Sequence, residues 1–290
     1  MIIKEKLFKY LTQVAALCSV VFLFGIIFSI FKEGLPIFAE VGVFKFLAGK
    51  SWHPTHYPPE FGILPLIISS IVVTGGALLV SIPLGVGSAI YISELSHPKG
   101  KEILKPIVEL LASVPSVIYG LFGMAFLGPF VSRVFGVPIG LNAFTASIIL
   151  GVMVVPIISS ISEDAINSVP KQLREASYAL GANDWETIIR VVLPAAKSGV
   201  ISSVVLGFGR AIGETMVVLM VAGGATAIPH SIFRPVRPMT SAVAAEMGET
   251  TMGSSHFHAL FGIAIVLFII TFVSNLITEW VMQSRRKNGR

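Results

Sequence analysis

The sequence predicts an all-α polytopic membrane protein with about six transmembrane helices. The chain has 290 residues, of which 54% are hydrophobic and only 13% charged, and its mean hydropathy is +0.84. A soluble domain of this length does not need so large an apolar fraction to form one core. The excess lies in stretches that are long enough to cross a bilayer as a helix, which takes about 20 residues. These stretches are 11–31, 62–93, 107–131, 141–160, 198–223 and 255–282.

The first stretch is predicted to be a retained anchor helix. Positive residues precede it, as in a signal peptide, but its apolar run exceeds the roughly 7–15 residues of a signal core and no small-residue cleavage site follows. The sequence therefore divides into an anchor helix with an outside interfacial segment, residues 1–60, and a core, residues 61–290.

The second stretch is longer than a span requires and is rich in glycine, with a proline in its second half. These residues are Gly75, Gly76, Pro83, Gly85 and Gly87. Proline bends a transmembrane helix, and glycine allows neighbouring helices to approach closely. We therefore expect this span to be kinked, tilted or tightly packed.

The distribution of Lys and Arg predicts that both termini face the cytoplasm, because positive residues beside spans are retained on that side. With the amino terminus inside, most positive residues fall in inside segments: Lys4, Lys6, Lys9, Lys99, Lys101, Lys105, Lys171, Arg174, Arg190, Lys197, Arg285, Arg286, Lys287 and Arg290. A minority fall outside: Lys32, Lys45, Lys50, Arg133, Arg234 and Arg237. An even number of spans predicts the same topology independently.

Several other classes of function are not supported. The net charge is +5, but there is no dense basic helix and no aromatic platform, so no nucleic-acid partner is expected. Cys18 is the single cysteine, which excludes an intrachain disulfide and a cysteine-based metal site. The pairs His53/His56 and His256/His258 have no apparent third ligand. We therefore expect no metal and no cofactor.

The long inside segment 161–197 is predicted to form two short helices. Apolar residues recur at helical spacing before Gly181, which can end the first helix, and Asp184 can cap a second helix that runs towards Leu193. A pair of amphipathic helices can lie on the membrane surface or dock into another protein, and composition alone favours neither.

This segment resembles the EAA motif of the permease subunits of binding-protein-dependent ABC importers. The matching residues are Glu175, Ala176, Ser177, Gly181, Val191, Leu193 and Pro194. Ser177 stands where alanine is usual, and Val191 where isoleucine is common. The resemblance implies a MetI-like permease fold, in which residues near 175–190, including Asp184, form a coupling helix that sits in a cleft of a cytoplasmic ATPase.

Longer stretches resemble the permeases of phosphate ABC importers. They read WHPTHYPPEFGILPLIISSI, IPLGVGSAIYISEL, VELLASVPSVIYGLFGM, REASYALGANDWETIIRVVLPAAKSGV and GFGRAIGETMVVLMVAGG, and they cover most of 52–224. The long first outside segment and RAIGETMVVLMVAGG look more like the PstC type than the sister PstA type. The resemblance implies an inner-membrane location and three partners: a PstA-like permease subunit, a PstB-like ATPase dimer and a PstS-like external phosphate-binding protein.

ATP hydrolysis is expected in a separate subunit, so this chain is not predicted to be an enzyme. The tripeptide Gly-Lys-Ser occurs at 49–51. A phosphate-binding loop requires another glycine five residues before Gly49, where this chain has Phe44. The segment is also predicted to lie outside, away from cytoplasmic ATP.

Two charges lie inside the fifth predicted span. Arg210 is the thirteenth residue counted from Ser198, which is near the bilayer centre if the span is a straight helix. A lipid-exposed Arg would cost about 2.5–3.5 kcal/mol on insertion scales, so Arg210 must face protein or water. Glu214 follows four residues later and lies on the same helix face.

Two interpretations of this pair remain open. One is an ion pair that locks two helices together. The other is a substrate path in which Arg210 holds an oxyanion through parallel hydrogen bonds, Glu214 weakens the hold, and Thr215 lies beside them. Small residues recur every four positions and predict close helix contacts: Ser203, Gly207 and Ala211, and also Gly209 and Gly213.

The favoured function is therefore a phosphate importer permease that forms half of a translocation path. The alternatives are a PstA-type permease, or a permease for sulfate, molybdate or another solute. A secondary transporter or channel that works without an ATPase is a third alternative, against which the EAA spacing argues.

Overall fold

The computed structural model describes the backbone of residues 2–288 and the side-chain environments of residues 8–276 and 279. Within the described residues, six helical segments are long and apolar enough to cross a membrane: Phe8–Val41, Leu64–Leu95, Ser116–Phe135, Ala143–Asn167, Asp184–Ile212 and Ser255–Leu276. The predicted number of spans is confirmed. Some residues behind the predicted orientation have side chains outside the described residues: Lys4, Lys6, Arg285, Arg286, Lys287 and Arg290.

The elements are as follows. The first part contains α1 (Ile2–Val41), α2 (Val43–Ala48), the antiparallel strands β1 (Trp52–His53) and β2 (Glu60–Phe61), α3 (Leu64–Ile90), α4 (Pro98–Ser113), α5 (Ser116–Phe122) and α6 (Gly128–Phe135). The second part contains α7 (Ala143–Asn167), α8 (Lys171–Ala179), α9 (Asp184–Thr187), α10 (Leu193–Ile212), α11 (Met216–Val221), α12 (Met239–Glu246) and α13 (Ser255–Asn288). π-helical turns extend α3 (Tyr91–Leu95), join α5 to α6 (Gly123–Leu127) and join α9 to α10 (Ile188–Val192).

The centre of the fold is the tightly packed pair α3 and α7. A Cβ atom at Gly76 would lie 2.4 Å from the Ser147 hydroxyl oxygen, and one at Gly85 would lie 2.8 Å from the Ile158 side chain. These glycines let the two backbones approach to a distance that any larger residue would prevent. The predicted close packing of the second span is therefore confirmed at Gly76 and Gly85.

The segment that is predicted to lie outside folds onto α12 and the first turns of α13. Phe46 and Trp52 are buried in an apolar cluster with Met239 and Leu260. The Trp52 indole also donates to the Glu246 carboxylate, at 3.1 and 3.2 Å from its two oxygens. These aromatic residues therefore form part of the protein core rather than an interfacial layer.

The third predicted span begins later than hydropathy suggested. Residues 107–113 belong to α4, which ends at Ser113, and the span itself runs over Ser116–Phe135. Val114 is extended (φ −64°, ψ 126°) because Pro115 disfavours a helical conformation in the residue before it. The carbonyl of Leu111 accepts a hydrogen bond from the Tyr119 hydroxyl at 3.0 Å, which satisfies part of the helix end.

Candidate functional site

The fifth span is broken at the position of the predicted charge pair. It begins earlier than predicted, at Asp184, and α10 ends at Ile212. The chain resumes as the short helix α11 at Met216. The expectation of one continuous span over 198–223 is therefore wrong.

Glu214 stabilises this break. Its Oε1 atom accepts hydrogen bonds from the backbone N–H groups of Met216 at 3.1 Å and Val217 at 3.3 Å. Thr215 occupies the N-cap position of α11, but its hydroxyl bonds to the Gly213 carbonyl at 3.4 Å and makes no cap. A helix start leaves backbone donors without partners, which is costly away from water. The Glu214 carboxylate supplies the missing acceptor.

The predicted ion pair forms across the break. The Arg210 Nη1 atom lies 2.8 Å from the Glu214 Oε2 atom. Arg210 lies in the last turn of α10, where the helix dipole favours a positive charge. The pair therefore adds a charge-assisted hydrogen bond to the two backbone bonds of the carboxylate.

The two charges differ in their accessibility. The Glu214 side chain is 3% exposed, whereas the Arg210 side chain is 46% exposed. Within the part of the chain that the structure describes, the bond to Glu214 is the only hydrogen bond of the Arg210 side chain. A guanidinium carries five N–H donors, so Arg210 retains donors for another ligand.

α10 has one packed face and one open face. Ser203, Gly207 and Ala211 are buried, and a Cβ atom at Gly207 would lie 2.9 Å from the Ile158 side chain of α7. Gly209 has no neighbouring atom within 4 Å of a Cβ position, and Gly213 is exposed. The first small-residue stripe therefore packs against α7 as predicted, while the second borders the open face.

Hydrogen bonds connect α12 to the break and to α3. The Thr240 hydroxyl of α12 donates to the Glu214 carbonyl at 2.7 Å, and the Met239 N–H donates to the Ser70 hydroxyl of α3 at 2.9 Å. Residues of α3, α10, α11 and α12 line a small cavity here: Ser70, Val73, Thr74, Ala211, Ile212, Glu214, Val218, Pro238 and Thr240. Glu214 thus lies at a junction of four helices, whereas Arg210 and Thr215 are next to it and do not line this cavity.

The EAA-like loop forms two helices, as predicted, with a different cap. Gly181 adopts φ +85°, a conformation that favours glycine, and so permits the turn between α8 and α9. Asn183 caps α9 by accepting from the Glu186 N–H at 2.9 Å, and the Glu186 carboxylate accepts from the Asn183 N–H at 3.1 Å. The predicted cap at Asp184 is wrong because Asn183 completes this reciprocal capping box. Asp184 is the first helical residue.

The other predicted coupling residues divide into one buried residue and two exposed ones. Ser177 is buried, and its hydroxyl lies 2.9 Å from the Thr187 hydroxyl, which joins α8 to α9. Glu175 and Ala176 are exposed. The helix pair is therefore tied together internally and presents its motif outward.

The loop also exposes large apolar side chains. They are Leu173, Tyr178, Leu180, Trp185 and Ile189, and Leu180 is 90% exposed. A concave surface between α8 and α9 lies beside them, lined by Leu173, Ala176, Ser177, Leu180, Gly181, Ala182, Glu186, Arg190 and Val191. Exposed apolar side chains beside a concave surface are typical of an interaction site.

Sequence reasoning missed three charge clusters that tie distant segments together. Arg174 pairs with Glu94 through an Nη2–Oε1 distance of 2.6 Å. Glu163 contacts Lys105 at 2.7 Å and Lys101 at 3.4 Å, and the hydrogen bond to Glu163 is the largest cause that raises the pKa of Lys105. Partners in these clusters are far apart in sequence, so no local pattern could have indicated them.

The third missed cluster surrounds Glu246. Glu246 accepts hydrogen bonds from Trp52 and from Arg237, the latter at 2.5 Å, and lies 2.8 Å from His256 Nε2. His258 contacts the Glu33 carbonyl at 2.7 Å. The histidine pair 256 and 258 therefore contacts separate partners.

The chain matches one protein family and several named transport proteins. The family described as "Binding-protein-dependent transport system inner membrane component" matches residues 81–287. The Bacillus subtilis protein named "Probable ABC transporter permease protein YqgH" is 38% identical over 96% of this chain and 88% of its own length. Phosphate transport system permease proteins PstC from Mesorhizobium japonicum and Pasteurella multocida are 33% and 32% identical. They cover 96% and 99% of this chain, and 90% and 94% of their own lengths.

Two solved transporters share the fold. The MetNI methionine ABC transporter in inward-facing conformations matches with a TM-score of 0.57 and 19% identity, over 77% of this chain and 94% of that chain. A bacterial alginate ABC transporter in complex with an alginate pentasaccharide-bound periplasmic protein matches with a TM-score of 0.65 and 15% identity. The match covers 93% of this chain and 92% of that chain. At these identities the likeness concerns the fold alone. With the six spans and the EAA-like loop, these findings establish that the chain belongs to the family of binding-protein-dependent transport system inner membrane components, the permease subunits of ABC importers.

Proposed function

We propose that this chain is the permease subunit of an ATP-driven phosphate importer and forms half of its translocation path. The observation that carries the proposal is the half-exposed Arg210 guanidinium on the open face of α10, beside a buried Glu214. A charged side chain on a membrane span must face protein or water. The open face of α10 therefore faces the path and a PstA-like second permease subunit.

The chemistry of the pair suits a tetrahedral oxyanion that must be bound and then released. The free N–H donors of Arg210 can form parallel charge-assisted hydrogen bonds to phosphate oxygens. Glu214 already holds one donor, and its negative charge limits how tightly the anion is bound. The similarity to PstC proteins supports phosphate as the transported anion.

The cytoplasmic surface suits an ATPase partner. We assign the exposed apolar side chains of α8 and α9 to docking on a PstB-like ATPase dimer, with Glu175 and Ala176 beside the contact. Phosphate would arrive from a PstS-like external binding protein. The Lys and Arg distribution supports cytoplasmic termini.

Substitution of Arg210 tests the proposed path. Arg210→Gln is expected to lower phosphate uptake about 100-fold or more, because it removes charge-assisted hydrogen bonds worth about 1.5–3 kcal/mol each. Uptake is measured in liposomes that contain the complete importer, with assembly checked by co-purification of the ATPase. Arg133→Gln is the matched control, since Arg133 is an exposed arginine at the end of α6. Wild-type uptake by Arg210→Gln would refute the role of Arg210.

The substrate is tested separately. The YqgH relative is named only as an ABC transporter permease, which keeps other oxyanions as a second candidate. ATP hydrolysis by the reconstituted importer is therefore measured with phosphate, sulfate and molybdate, each with its candidate binding protein. Stimulation by sulfate or molybdate, but not by phosphate, would overturn the phosphate assignment.

A further inference from the structure

Arg174 contacts two separate parts of the chain at once. Its Nη2 and Nε atoms donate to the two oxygens of Glu94 at 2.6 and 3.2 Å. The same guanidinium donates to the carbonyls of Val169 at 2.6 Å and Ile166 at 3.0 Å. Arg174 itself belongs to α8, the first helix of the EAA-like loop.

These partners lie at the inner ends of two spans. Glu94 lies in the π-helical turn that ends the span Leu64–Leu95, and Ile166 is in the last turn of α7. The Ile166 carbonyl accepts a hydrogen bond from the Val169 N–H at 3.2 Å, and Arg174 donates a second one to it and another to the Val169 carbonyl just beyond the helix. Arg174 therefore joins α8 directly to α3 and α7.

The surroundings make this contact more rigid than a surface ion pair. The Arg174 and Glu94 side chains are 17% and 10% exposed, so solvent screens the pair weakly. The guanidinium is a planar fork, and its bidentate contact fixes orientation as well as distance. The cleft around it is polar and is lined by Ser93, Glu94, Asn167, Lys171, Arg174, Glu175 and Tyr178.

α3 connects this cleft with the charge pair in the fifth span. Its inner end carries Glu94, and its outer half carries Ser70 and Thr74, which line the cavity beside Glu214. α3 also packs on α7 without space for a side chain at Gly85. Close packing leaves the two helices little room to relax locally, so strain at one end is transmitted along the pair.

We propose that Arg174 is a positioning residue that holds α8 to the inner ends of α3 and α7, so that a displacement of α8 reaches the Glu214 junction through α3. The inference rests on the proposed coupling role of α8. It assigns a specific function to a residue outside the docking surface and outside the substrate path.

The test separates coupling from assembly. Arg174→Gln, Arg174→Lys and Glu94→Gln are made in the complete importer in liposomes, and phosphate uptake and ATP hydrolysis are measured on the same samples. Arg174→Gln and Glu94→Gln are expected to retain the ATPase and to keep hydrolysing ATP, while uptake per ATP falls about tenfold or more. Arg174→Lys keeps the positive charge but not the planar guanidinium, and it is expected to give an intermediate ratio of phosphate uptake to ATP hydrolysis.

Lys197→Gln is the control, because it removes an exposed charge from the same side at the start of α10 and should leave the ratio unchanged. An unchanged ratio in both Arg174→Gln and Glu94→Gln would overturn the proposal. If Arg174→Gln fails to assemble, Glu94→Gln decides, since it leaves the Arg174 bonds to Ile166 and Val169 in place. Loss of assembly in Glu94→Gln as well would make the pair a structural lock and also overturn the proposal.

Failure of the phosphate assignment gives a different result. In that case the wild-type importer itself moves no phosphate, and the ratio is measured with the oxyanion that stimulates its ATP hydrolysis. The effect of Arg174 on uptake per ATP remains testable with that anion.

Discussion

Two substitutions of Glu214 separate its role as a cap from its role as an ion-pair partner. Glu214→Gln keeps a side-chain oxygen that can accept from the N–H groups of Met216 and Val217, but it loses the charge that pairs with Arg210. Glu214→Ala loses both the acceptor and the charge. The difference between the two variants therefore measures the stabilisation that the carboxylate gives to the start of α11.

The expected magnitudes follow from burial. The Arg210 side chain is half exposed in the single chain, so loss of the ion pair in Glu214→Gln is expected to cost about 1 kcal/mol. In Glu214→Ala, the N–H groups of Met216 and Val217 lose their acceptor. The Val217 N–H is buried, whereas the Met216 N–H is only partly buried and can be solvated. A buried donor without a partner costs about 1–3 kcal/mol, so the alanine variant is expected to lose about 1–3 kcal/mol more than the glutamine variant.

The assay is equilibrium unfolding of the purified permease in mixed micelles, with the free energy of unfolding compared among variants. Glu60→Ala is the control, since Glu60 is an exposed carboxylate in β2 and its loss should leave stability unchanged. Equal destabilisation by Glu214→Gln and Glu214→Ala would refute the capping role. Uptake adds a second readout, in which Glu214→Gln is expected to impair transport less than Arg210→Gln does.

Two further predictions concern helix packing and docking. Gly85→Ala is expected to destabilise the permease by about 1–3 kcal/mol, because its Cβ would lie 2.8 Å from Ile158, whereas Gly87→Ala meets no atom within 4 Å and serves as the control. Both are checked by the same unfolding measurement, and equal effects would contradict the close α3–α7 contact. Leu180→Asp is expected to weaken ATPase binding about tenfold or more, because it removes a 90% exposed apolar side chain from the docking surface. Titration of the solubilised permease with purified ATPase measures this, with Gln172→Asp as the control on α8, and an unchanged Kd would remove Leu180 from the contact.

The span pattern could be predicted because hydropathy depends on composition over a whole window. All six apolar stretches correspond to spanning helices among the described residues. The turn at Gly181 could also be predicted, because a glycine after a helical pattern is typical of a helix end. In the structure Gly181 adopts φ +85°. Signals of this kind are local in sequence and do not depend on tertiary contacts.

Helix ends were predicted less well, because they depend on how individual backbone groups are satisfied. Hydropathy does not distinguish residues 107–113 from the span that follows, although Pro115 ends α4 before the span begins. The choice between Asn183 and Asp184 as the cap depends on which side chain reaches the Glu186 N–H. The Arg174–Glu94 contact is harder still, since its partners are 80 positions apart and come together only when α8 folds back on the spans.

The spacing of Arg210 and Glu214 predicted their contact but not the reason for it. Residues four apart meet in a continuous helix, so the pair alone does not indicate that the helix breaks between them. What distinguishes the break is that Glu214 also accepts from two backbone N–H groups, which accounts for the burial of a carboxylate at 3% exposure. The Glu214 carboxylate therefore makes three hydrogen bonds within the protein, to Arg210, Met216 and Val217. The charge that remains exposed is Arg210, on the side of α10 where Gly209 has no neighbouring atom within 4 Å of a Cβ position and Gly213 is exposed.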